Sequence, residues 1–289
     1  MKLVTFLAGG APRLGVVDGD AVVDLAAAEP ALPAEMTAFL AAGADALAAA
    51  ARALRGKGPR HPLAAVRLAA PILRPQKFLA IGLNYADHVA ETGMKAPEFP
   101  VFFNKQNTCV VGPGAPVHRP RVSTMLDYEG ELGVVIGRRC RHVPRERAHE
   151  VIAGYVVVND VTVRDWQMKA PTMTIGKSFD THGPIGPWIV TADELRDPHV
   201  LGLKTWVNGE LRQDANTSQM IYDCFAQIAT LTTAFTLEPG DVIATGTPSG
   251  VGLMQGKFLV PGDVVRIEID GIGRLENPII EEPADTAAF

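Results

Sequence analysis

Short runs of β-branched residues, closed by turn residues, recur along this chain. Residues 132–136 and 155–158 are continuous apolar runs with the length of a buried strand. Residues 264–270 alternate strictly between apolar and charged side chains, which is typical of a strand with one buried face. The Asp270-Gly271 step then predicts a hairpin, because glycine accepts the positive φ of a tight turn. With 28 glycines and few long helical patterns, the chain is predicted to adopt a β-rich mixed α/β fold.

The first seventy residues differ in character from the remainder. Residues 1–24 contain short strand patterns around an Asp-Gly turn, and residues 25–55 are rich in alanine with leucine at helical spacing. Four prolines between residues 59 and 75 then punctuate a connector. We therefore predict a small N-terminal α+β domain over residues 1–70 and a larger, β-rich domain over residues 71–289.

Charge and hydropathy argue against several functional classes. The formal net charge is −5 and no basic stripe is present, so nucleic-acid binding is not expected. No run of about 18 apolar residues occurs, so we expect neither a transmembrane helix nor membrane binding. The N-terminal apolar run is too short for a signal sequence, and we expect a cytoplasmic protein. The three cysteines lack the spacing of a zinc or redox motif, and we expect reduced thiols.

Two glutamates stand directly before the first apolar run. Glu129 and Glu131 are two apart, so on a strand their side chains share a face. Such close carboxylates are costly unless a cation neutralises them or one stays protonated. Asp160 follows the second apolar run, and three convergent carboxylates are hard oxygen ligands suited to Mg²⁺ or Mn²⁺. On spacing alone, an edge strand with both glutamates facing solvent fits at least as well.

A histidine and a glutamate are three apart in the segment 84–91. If the segment is helical, His88 and Glu91 share a face, and the carboxylate can orient the imidazole and raise its basicity. A general base that deprotonates water near neutral pH needs this arrangement. Taken alone, the spacing is more often that of a surface ion pair.

Gly176-Lys177-Ser178 resembles the end of a P-loop, but Pro171 occupies the position of the required first glycine. We interpret Lys177 as a cation for a substrate carboxylate or enolate, with a solvated surface lysine as the alternative. Residues 240–252 predict a strand that runs into a glycine-rich loop, whose N–H groups and hydroxyls can hold an anion. The loop lacks the dinucleotide-binding pattern.

These segments occur in one order along the chain: Asn84-Tyr85-Ala86-Asp87-His88, Tyr128-Glu129-Gly130-Glu131-Leu132, the segment 159–167, Gly176-Lys177-Ser178-Phe179-Asp180 with the segment 183–187, and the segment 240–252. In this order they resemble the fumarylacetoacetate hydrolase family, over most of the chain from residue 72 to residue 280. Within the family, the chain is similar to bacterial acylpyruvate (2,4-diketo acid) hydrolases.

The resemblance implies strands that roll into a mixed, barrel-like sheet, and a homodimer. It implies Glu129, Glu131 and Asp160 as the ligands of Mg²⁺, or of Mn²⁺. It also implies that His88 and Glu91 activate water, on a segment that orders as a lid. The residues that match positions near the substrate, together with two that we add from the same motifs, are Lys177 in a catalytic role and Arg164, Gln167, Thr247, Tyr85 and Gly246 in substrate binding. Trp166 departs from the smaller aliphatic residue that is common in the family.

We therefore expect a metal-dependent hydrolase that cleaves a C–C bond of a small 2,4-dioxo acid and leaves a metal-stabilised enolate. The same chemistry serves decarboxylation of oxaloacetate or isomerisation of an unsaturated hydroxy-dioate, and these alternatives stay open. The complete His88–Glu91 pair favours the hydrolase. The segments 93–100 and 208–222 are expected to choose the distal group of the substrate.

Overall fold

The computed structural model describes residues 1–286, and strands dominate it. The N-terminal segment contains β1 (Lys2–Leu7), β2 (Pro12–Asp18), β3 (Ala21–Asp24), β4 (Arg60–Pro62) and β5 (Arg67–Leu68). Between β3 and β4 lie the predicted helices, α1 (Leu25–Ala28), α2 (Met36–Ala41) and α3 (Gly43–Arg55).

The rest of the described chain is a succession of strands with short helices between them. The strands are β6 (Phe78–Gly82), β7 (Val101–Lys105), β8 (Val110–Val111), β9 (Val117–Arg119), β10 (Leu126–Asp127), β11 (Gly130–Ile136), β12 (Ile152–Asn159), β13 (Thr162–Val163), β14 (Gly183–Thr191), β15 (Gly202–Val207), β16 (Glu210–Asn216), β17 (Val242–Ala244), β18 (Val264–Ile269) and β19 (Gly273–Glu281). The helices are α4 (Ala86–Thr92), α5 (Arg164–Gln167), α6 (Thr174–Lys177), α7 (Cys224–Ala234) and α8 (Gly252–Gln255). Between residues 1 and 286, no helix is long and apolar enough to cross a bilayer.

The strands form three sheets. The main path of the twelve-stranded sheet is β4-β3-β2-β1-β14-β12-β11-β17-β6-β7, with β5 beside β1 and β8 beside β14. A five-stranded sheet has the order β16-β15-β18-β19-β9, and β10 pairs with β13. The strand-rich mixed α/β fold is confirmed, as is the predicted hairpin, in which β18 pairs with β19 and buries every second residue.

The expected barrel-like closure is wrong: within residues 1–286 the sheets are not closed as a barrel. The twelve-stranded sheet ends at β4 on one side and at β7 on the other. Proline stands at both edges, as the last residue of β4 (Pro62) and directly before β7 (Pro100). Because proline has no N–H to donate, it does not extend a hydrogen-bonded ladder.

The strands on both sides of residue 70 join one sheet. Lys2 and Leu3 of β1 pair with Val190 and Ile189 of β14. The boundary near residue 70 stays a prediction, and the N-terminal segment is hydrogen-bonded to the larger part of the chain. Residues 287–289 of the predicted second domain lie outside the described residues.

The central strands β11 and β12 separate two hydrophobic cores, which explains why their sequences are continuously apolar. Leu132 and Val157 belong to the core that also contains residues of the five-stranded sheet. Val135 and Val156 belong to the core that contains the N-terminal helices. All seven residues of β11 are buried, because neighbouring side chains point alternately into the two cores. A rigid, fully paired strand therefore leads into the candidate site.

Candidate active site

Strand pairing brings the three predicted carboxylates together. Gly130 of β11 lies opposite Asn159 of β12, and the N–H of Asp160 donates to the carbonyl of Glu129 at 2.9 Å. One oxygen each of Glu129, Glu131 and Asp160 lies within 4.8 Å of the others. Their exposed fractions are 6%, 1% and 0%. The solvent-facing edge strand is thus wrong, since β11 is paired on both sides.

Three buried cations contact this acidic cluster. The Nζ of Lys177 lies 2.6 Å from Glu129 and 2.8 Å from Asp160. Lys177 is only 2% exposed, so the solvated alternative for this lysine is wrong. The Nζ of Lys105 lies 2.6 Å from Asp160, and Arg164 lies 2.7 Å from Glu129. Sequence reasoning missed Lys105, although it lies two residues after Phe103 and shares the buried face of β7 with it.

The two glutamates experience opposite electrostatic environments. Burial acts to raise the pKa of Glu129, but contacts with Lys177 and Arg164 outweigh it and lower the pKa to about 2; nearby His88 contributes less. The pKa of Glu131 is raised well above its ordinary value, first by burial and then by the charges of Asp160 and Glu129. Ionisation of Glu131 would therefore create a negative charge that the cations of the cluster do not neutralise.

A fourth carboxylate, Asp127, supports the cluster from the same face. Its Oδ2 lies 2.8 Å from the Nε of Arg164, which in turn contacts Glu129. The Arg164 guanidinium, predicted to bind substrate, here contacts residues of the protein and also donates to the Oε1 of Gln167 at 3.1 Å. Asp127 was missed, although the three acids Asp127, Glu129 and Glu131 are spaced two apart, which places their side chains on one face of an extended chain.

Four carboxylates and three cations leave one negative charge in excess when all are ionised. Glu129, Glu131 and Asp160 offer buried, convergent oxygen atoms, and hard oxygen donors are the ligands that Mg²⁺ and Mn²⁺ prefer. The chemistry of the donor set and the uncompensated charge at Glu131 both fit a divalent cation.

The glycine-rich loop donates its N–H groups to carboxylates of the chain itself. The N–H of Gly246 donates to Glu131 at 2.8 Å, and that of Gly250 donates to Glu91 at 3.0 Å. The N–H of Gly252 donates to Asp127 at 2.8 Å. The loop was expected to hold an anion, and these anions are the side chains around the site. Gly246 has a φ of +101°, and a Cβ there would lie 2.6 Å from the Cβ of Asn84.

Thr247 is held between the two sheets. Its hydroxyl donates to the carbonyl of Gly130 at 3.0 Å and accepts from the Nε2 of Gln213 at 2.8 Å. The Oε1 of Gln213 accepts from the N–H of Gly130 at 3.0 Å. Gln213 was missed because it comes from β16, far along the chain. Through these two bonds, Gln213 links the backbone of Gly130, between the two glutamates, to Thr247 of the glycine-rich loop.

The predicted base pair lies on α4. The Nδ1 of His88 and the Oε2 of Glu91 are 3.1 Å apart, and His88 is 8% exposed. The segment is helical as predicted, and the pair is not an exposed one. Because the second oxygen of Glu91 accepts from Gly250, this carboxylate joins the histidine to the loop.

Two other predicted positions are less tightly tied to the cluster. Tyr85 is fully buried, and within the described residues its hydroxyl has no hydrogen-bond partner. Burial raises the pKa of this phenol well above its ordinary value. Trp166 packs edge-on against Phe179, with ring centroids 5.3 Å apart.

Two sequence families match the chain. The family described as fumarylacetoacetate (FAA) hydrolase C-terminal matches residues 77–280, and the family described as Rv2993c-like, N-terminal, matches residues 1–71. A mitochondrial oxaloacetate tautomerase of Xenopus laevis is 42% identical over 288 residues, which cover 97% of this chain and 90% of that protein.

Solved structures agree with this result. A maleylpyruvate hydrolase from Sphingobium sp. SYK-6, in complex with manganese(II) and pyruvate, is 37% identical with a TM-score of 0.83, and the match covers 98% of this chain and all of that one. A 2-hydroxyhepta-2,4-diene-1,7-dioate isomerase from Mycobacterium marinum is 35% identical with a TM-score of 0.78, over 98% of this chain and 99% of that one. The chain belongs to the fumarylacetoacetate hydrolase family, which confirms the prediction from its ordered motifs.

Proposed function

We propose that this enzyme hydrolyses a C–C bond of a small 2,4-dioxo acid of the acylpyruvate type, with Mg²⁺ or Mn²⁺ as cofactor. The observation that carries the proposal is the pair of buried His88 and half-buried Glu91, 3.1 Å between Nδ1 and Oε2, near a buried triad of carboxylates. A relative of similar fold, the maleylpyruvate hydrolase, was solved with manganese(II) and pyruvate.

Glu129, Glu131 and Asp160 would hold the cation, which supplies Lewis acidity that stabilises the negative charge of an enolate. Lys177 and Lys105 balance the negative charge of Asp160 and limit the repulsion among the three acids. Arg164, itself oriented by Asp127, holds the carboxylate of Glu129 in place.

His88 is the proposed base. When Nδ1–H donates to Glu91, Nε2 carries the free lone pair and can take a proton from water. The resulting hydroxide attacks the carbonyl distal to the 2-oxo acid, the C–C bond breaks, and the electron pair remains on the pyruvate fragment as an enolate. Glu91 stabilises the imidazolium that forms. The acyl fragment leaves as a carboxylic acid, and the carbon of the enolate takes back the proton that His88 removed from water. Lys177 contributes positive charge next to the site of the developing enolate.

A second candidate is keto–enol tautomerisation of oxaloacetate. The relative that favours it is the oxaloacetate tautomerase of Xenopus laevis, 42% identical over 97% of this chain. The same base would move a proton between carbon and oxygen without breaking a C–C bond. Decarboxylation of oxaloacetate uses the same enolate chemistry and is a further outcome of the same test, whereas isomerisation of a hydroxy-diene-dioate needs that dioate as a third substrate.

The test is turnover of an acylpyruvate and of oxaloacetate in parallel, after chelation and after return of Mg²⁺ or Mn²⁺. Loss of the diketone absorbance with stoichiometric pyruvate supports the hydrolase. Ketonisation of oxaloacetate without release of CO₂ supports the tautomerase, and release of CO₂ supports the decarboxylase. Cleavage of the acylpyruvate that needs no metal contradicts the proposed role of the triad.

Three further proposals concern the whole protein: a homodimer, a domain boundary near residue 70, and a cytoplasmic location. The first is supported by the family resemblance and is tested by light scattering coupled to gel filtration. A monomeric mass at micromolar concentration would contradict it.

A further inference from the structure

Helix α4 is attached to the glycine-rich loop at a second point, independent of the His88–Glu91 pair. The Oδ2 of Asp87 accepts from the hydroxyl of Ser249 at 2.8 Å and from its backbone N–H at 3.3 Å. The Oδ1 of Asp87 accepts from the backbone N–H of His88 at 2.8 Å. One carboxylate therefore binds both the loop and the backbone of the residue that carries the imidazole.

We propose that Asp87 and Ser249 form a positioning pair that holds His88 over the carboxylate cluster. The inference rests on the proposed function, since it takes His88 as the base. We assign Asp87 no part in proton transfer, because its hydrogen bonds go to Ser249 and to the backbone of His88. It acts on the reaction through the placement of α4.

The helix needs such support because it is short. It has seven residues, and an isolated helix of this length is not stable in water. Its N-cap residue, Tyr85, provides no side-chain capping bond. Asp87 and Glu91 are four apart and therefore lie on one face, which the loop covers at Ser249 and Gly250. These bonds hold the body of α4 against the loop, and at its N-terminal end Tyr85 also forms a bridge with Met220.

The two attachments are chemically separable. Glu91 bonds both Gly250 and the imidazole, so a change there alters docking and the orientation of His88 together. Within the described residues, the hydrogen bonds of Asp87 go to Ser249 and to the backbone N–H of His88, so a change there leaves the bond between Glu91 and the imidazole in place. The loop also binds Glu131 through the N–H of Gly246. The Asp87–Ser249 pair therefore attaches the helix of the base to the same loop that positions a proposed metal ligand.

The experiment compares Asp87→Ala, Asp87→Asn, Ser249→Ala, Ser249→Thr and the double alanine variant. We expect Asp87→Ala to lower kcat about 10- to 100-fold and Ser249→Ala about 3- to 10-fold, with KM changed less. The double variant should be no slower than Asp87→Ala, since both changes break one contact. Asn keeps only one of the two acceptor oxygens of Asp87, so Asp87→Asn should restore part of the rate, whereas Thr keeps the hydroxyl and Ser249→Thr should restore most of it.

Two readouts do not depend on turnover. Lys95 is exposed just beyond α4, and tryptic cleavage after it should accelerate in both alanine variants if α4 leaves the loop. Mn²⁺ affinity, measured by electron paramagnetic resonance, should stay within about twofold because the carboxylate triad is untouched. Asp263→Ala is the matched control, because Asp263 also accepts from a side chain and a backbone N–H, in a turn before β18.

The positioning pair would be overturned if the losses of kcat in the two alanine variants added in the double variant. It would also be overturned if Ser249→Ala changed neither kcat nor the rate of tryptic cleavage. Weaker Mn²⁺ binding in either alanine variant would show that the pair supports the metal site instead. If the wild type turns over none of the substrates, the proposed function fails, and the cleavage assay still decides whether the pair docks α4. If Asp87→Ala does not fold, the two Ser249 variants give the same decision.

Discussion

Single residues in the site differ mainly in how their charge is compensated. Glu129 contacts two cations and has a pKa lowered to about 2, whereas Glu131 accepts one backbone N–H and has a raised pKa. Two side chains only two positions apart, one directly before β11 and one within it, thus have opposite tendencies to hold a proton. Such divergence is typical of functional sites, because a folded core would otherwise exclude an uncompensated buried carboxylate.

Replacement of His88 by alanine should lower kcat for the hydrolysis of an acylpyruvate by at least about a hundredfold, since general-base catalysis contributes on that scale. The carboxylate triad does not include His88, so Mn²⁺ affinity should stay within about twofold of wild type. Steady-state kinetics and a metal titration measure the two effects. His149→Ala, at an exposed position, is the control. A large loss of metal affinity in His88→Ala would mean that the histidine has a structural role.

A second residue, His182, makes stability depend on pH. Burial lowers its pKa to about 3, so the folded protein keeps the ring neutral while the unfolded chain takes up a proton below about pH 6.5. Stability is therefore lost as the pH falls from about 6.5 towards 3, by about 2 kcal/mol at pH 5. Urea unfolding at pH 7 and pH 5 should show a smaller loss for His182→Asn. Equal losses in the two proteins would refute this assignment.

Local periodicity placed Glu129 and Glu131 on one face and the family resemblance implied them as metal ligands, but neither predicted the groups that contact them. Glu129, Glu131 and the helical pair could be placed because their spacing decides which face they share. Lys105 meets Asp160 across 55 residues and Gln213 meets Gly130 across 83, and no local pattern encodes such contacts. The choice between hydrolase and tautomerase depends on where a substrate lies, which spacing does not specify either.

At the scale of elements, β11 joins the site to both cores. Its alternation sends Leu132 and Val135 to opposite sides, while Glu131 stays at the end where the strand meets the loop. The continuous apolar run predicted a buried strand, and the pairing with β12 and β17 explains it. Prolines at the edges of the sheet were visible in the sequence, yet their effect on closure depends on a strand order that only the structure provides.

Of the two glycines of β11, Gly130 has the less space for an added Cβ. A Cβ there would lie 2.3 Å from the Oγ1 of Thr205 and 3.2 Å from the Oε1 of Gln213. We expect Gly130→Ala to cost about 1–3 kcal/mol in the free energy of unfolding and to weaken Mn²⁺ binding. Thr205→Ala in the same chain should recover part of both. The control is Gly82→Ala, where the nearest heavy atom would be 3.9 Å away. Unchanged metal binding in Gly130→Ala would contradict the expected coupling.

The whole molecule depends on the contact between its N-terminal strands and β14. Removal of residues 1–70 would uncover the edge of β14 and the core face that contains Val156 and Ile189. An unpaired edge beside an apolar surface promotes association between chains. We expect the truncated protein to aggregate and to bind a hydrophobic dye, measured by light scattering and fluorescence. A soluble, metal-binding fragment would instead support an independent domain over residues 71–289.

The pairing of β1 with β14 also has a consequence during synthesis. The amino group of Met1 donates to the hydroxyl of Thr191, 190 residues later. At roughly 5–20 residues per second, the ribosome needs about 10 to 40 s to deliver that partner after β1 has emerged. Throughout this interval β2 covers one edge of β1, β5 covers only Phe6 and Leu7 on the other, and the edge at Lys2 and Leu3 lacks its partner β14. Nascent chains of this protein should therefore be early clients of ribosome-associated chaperones.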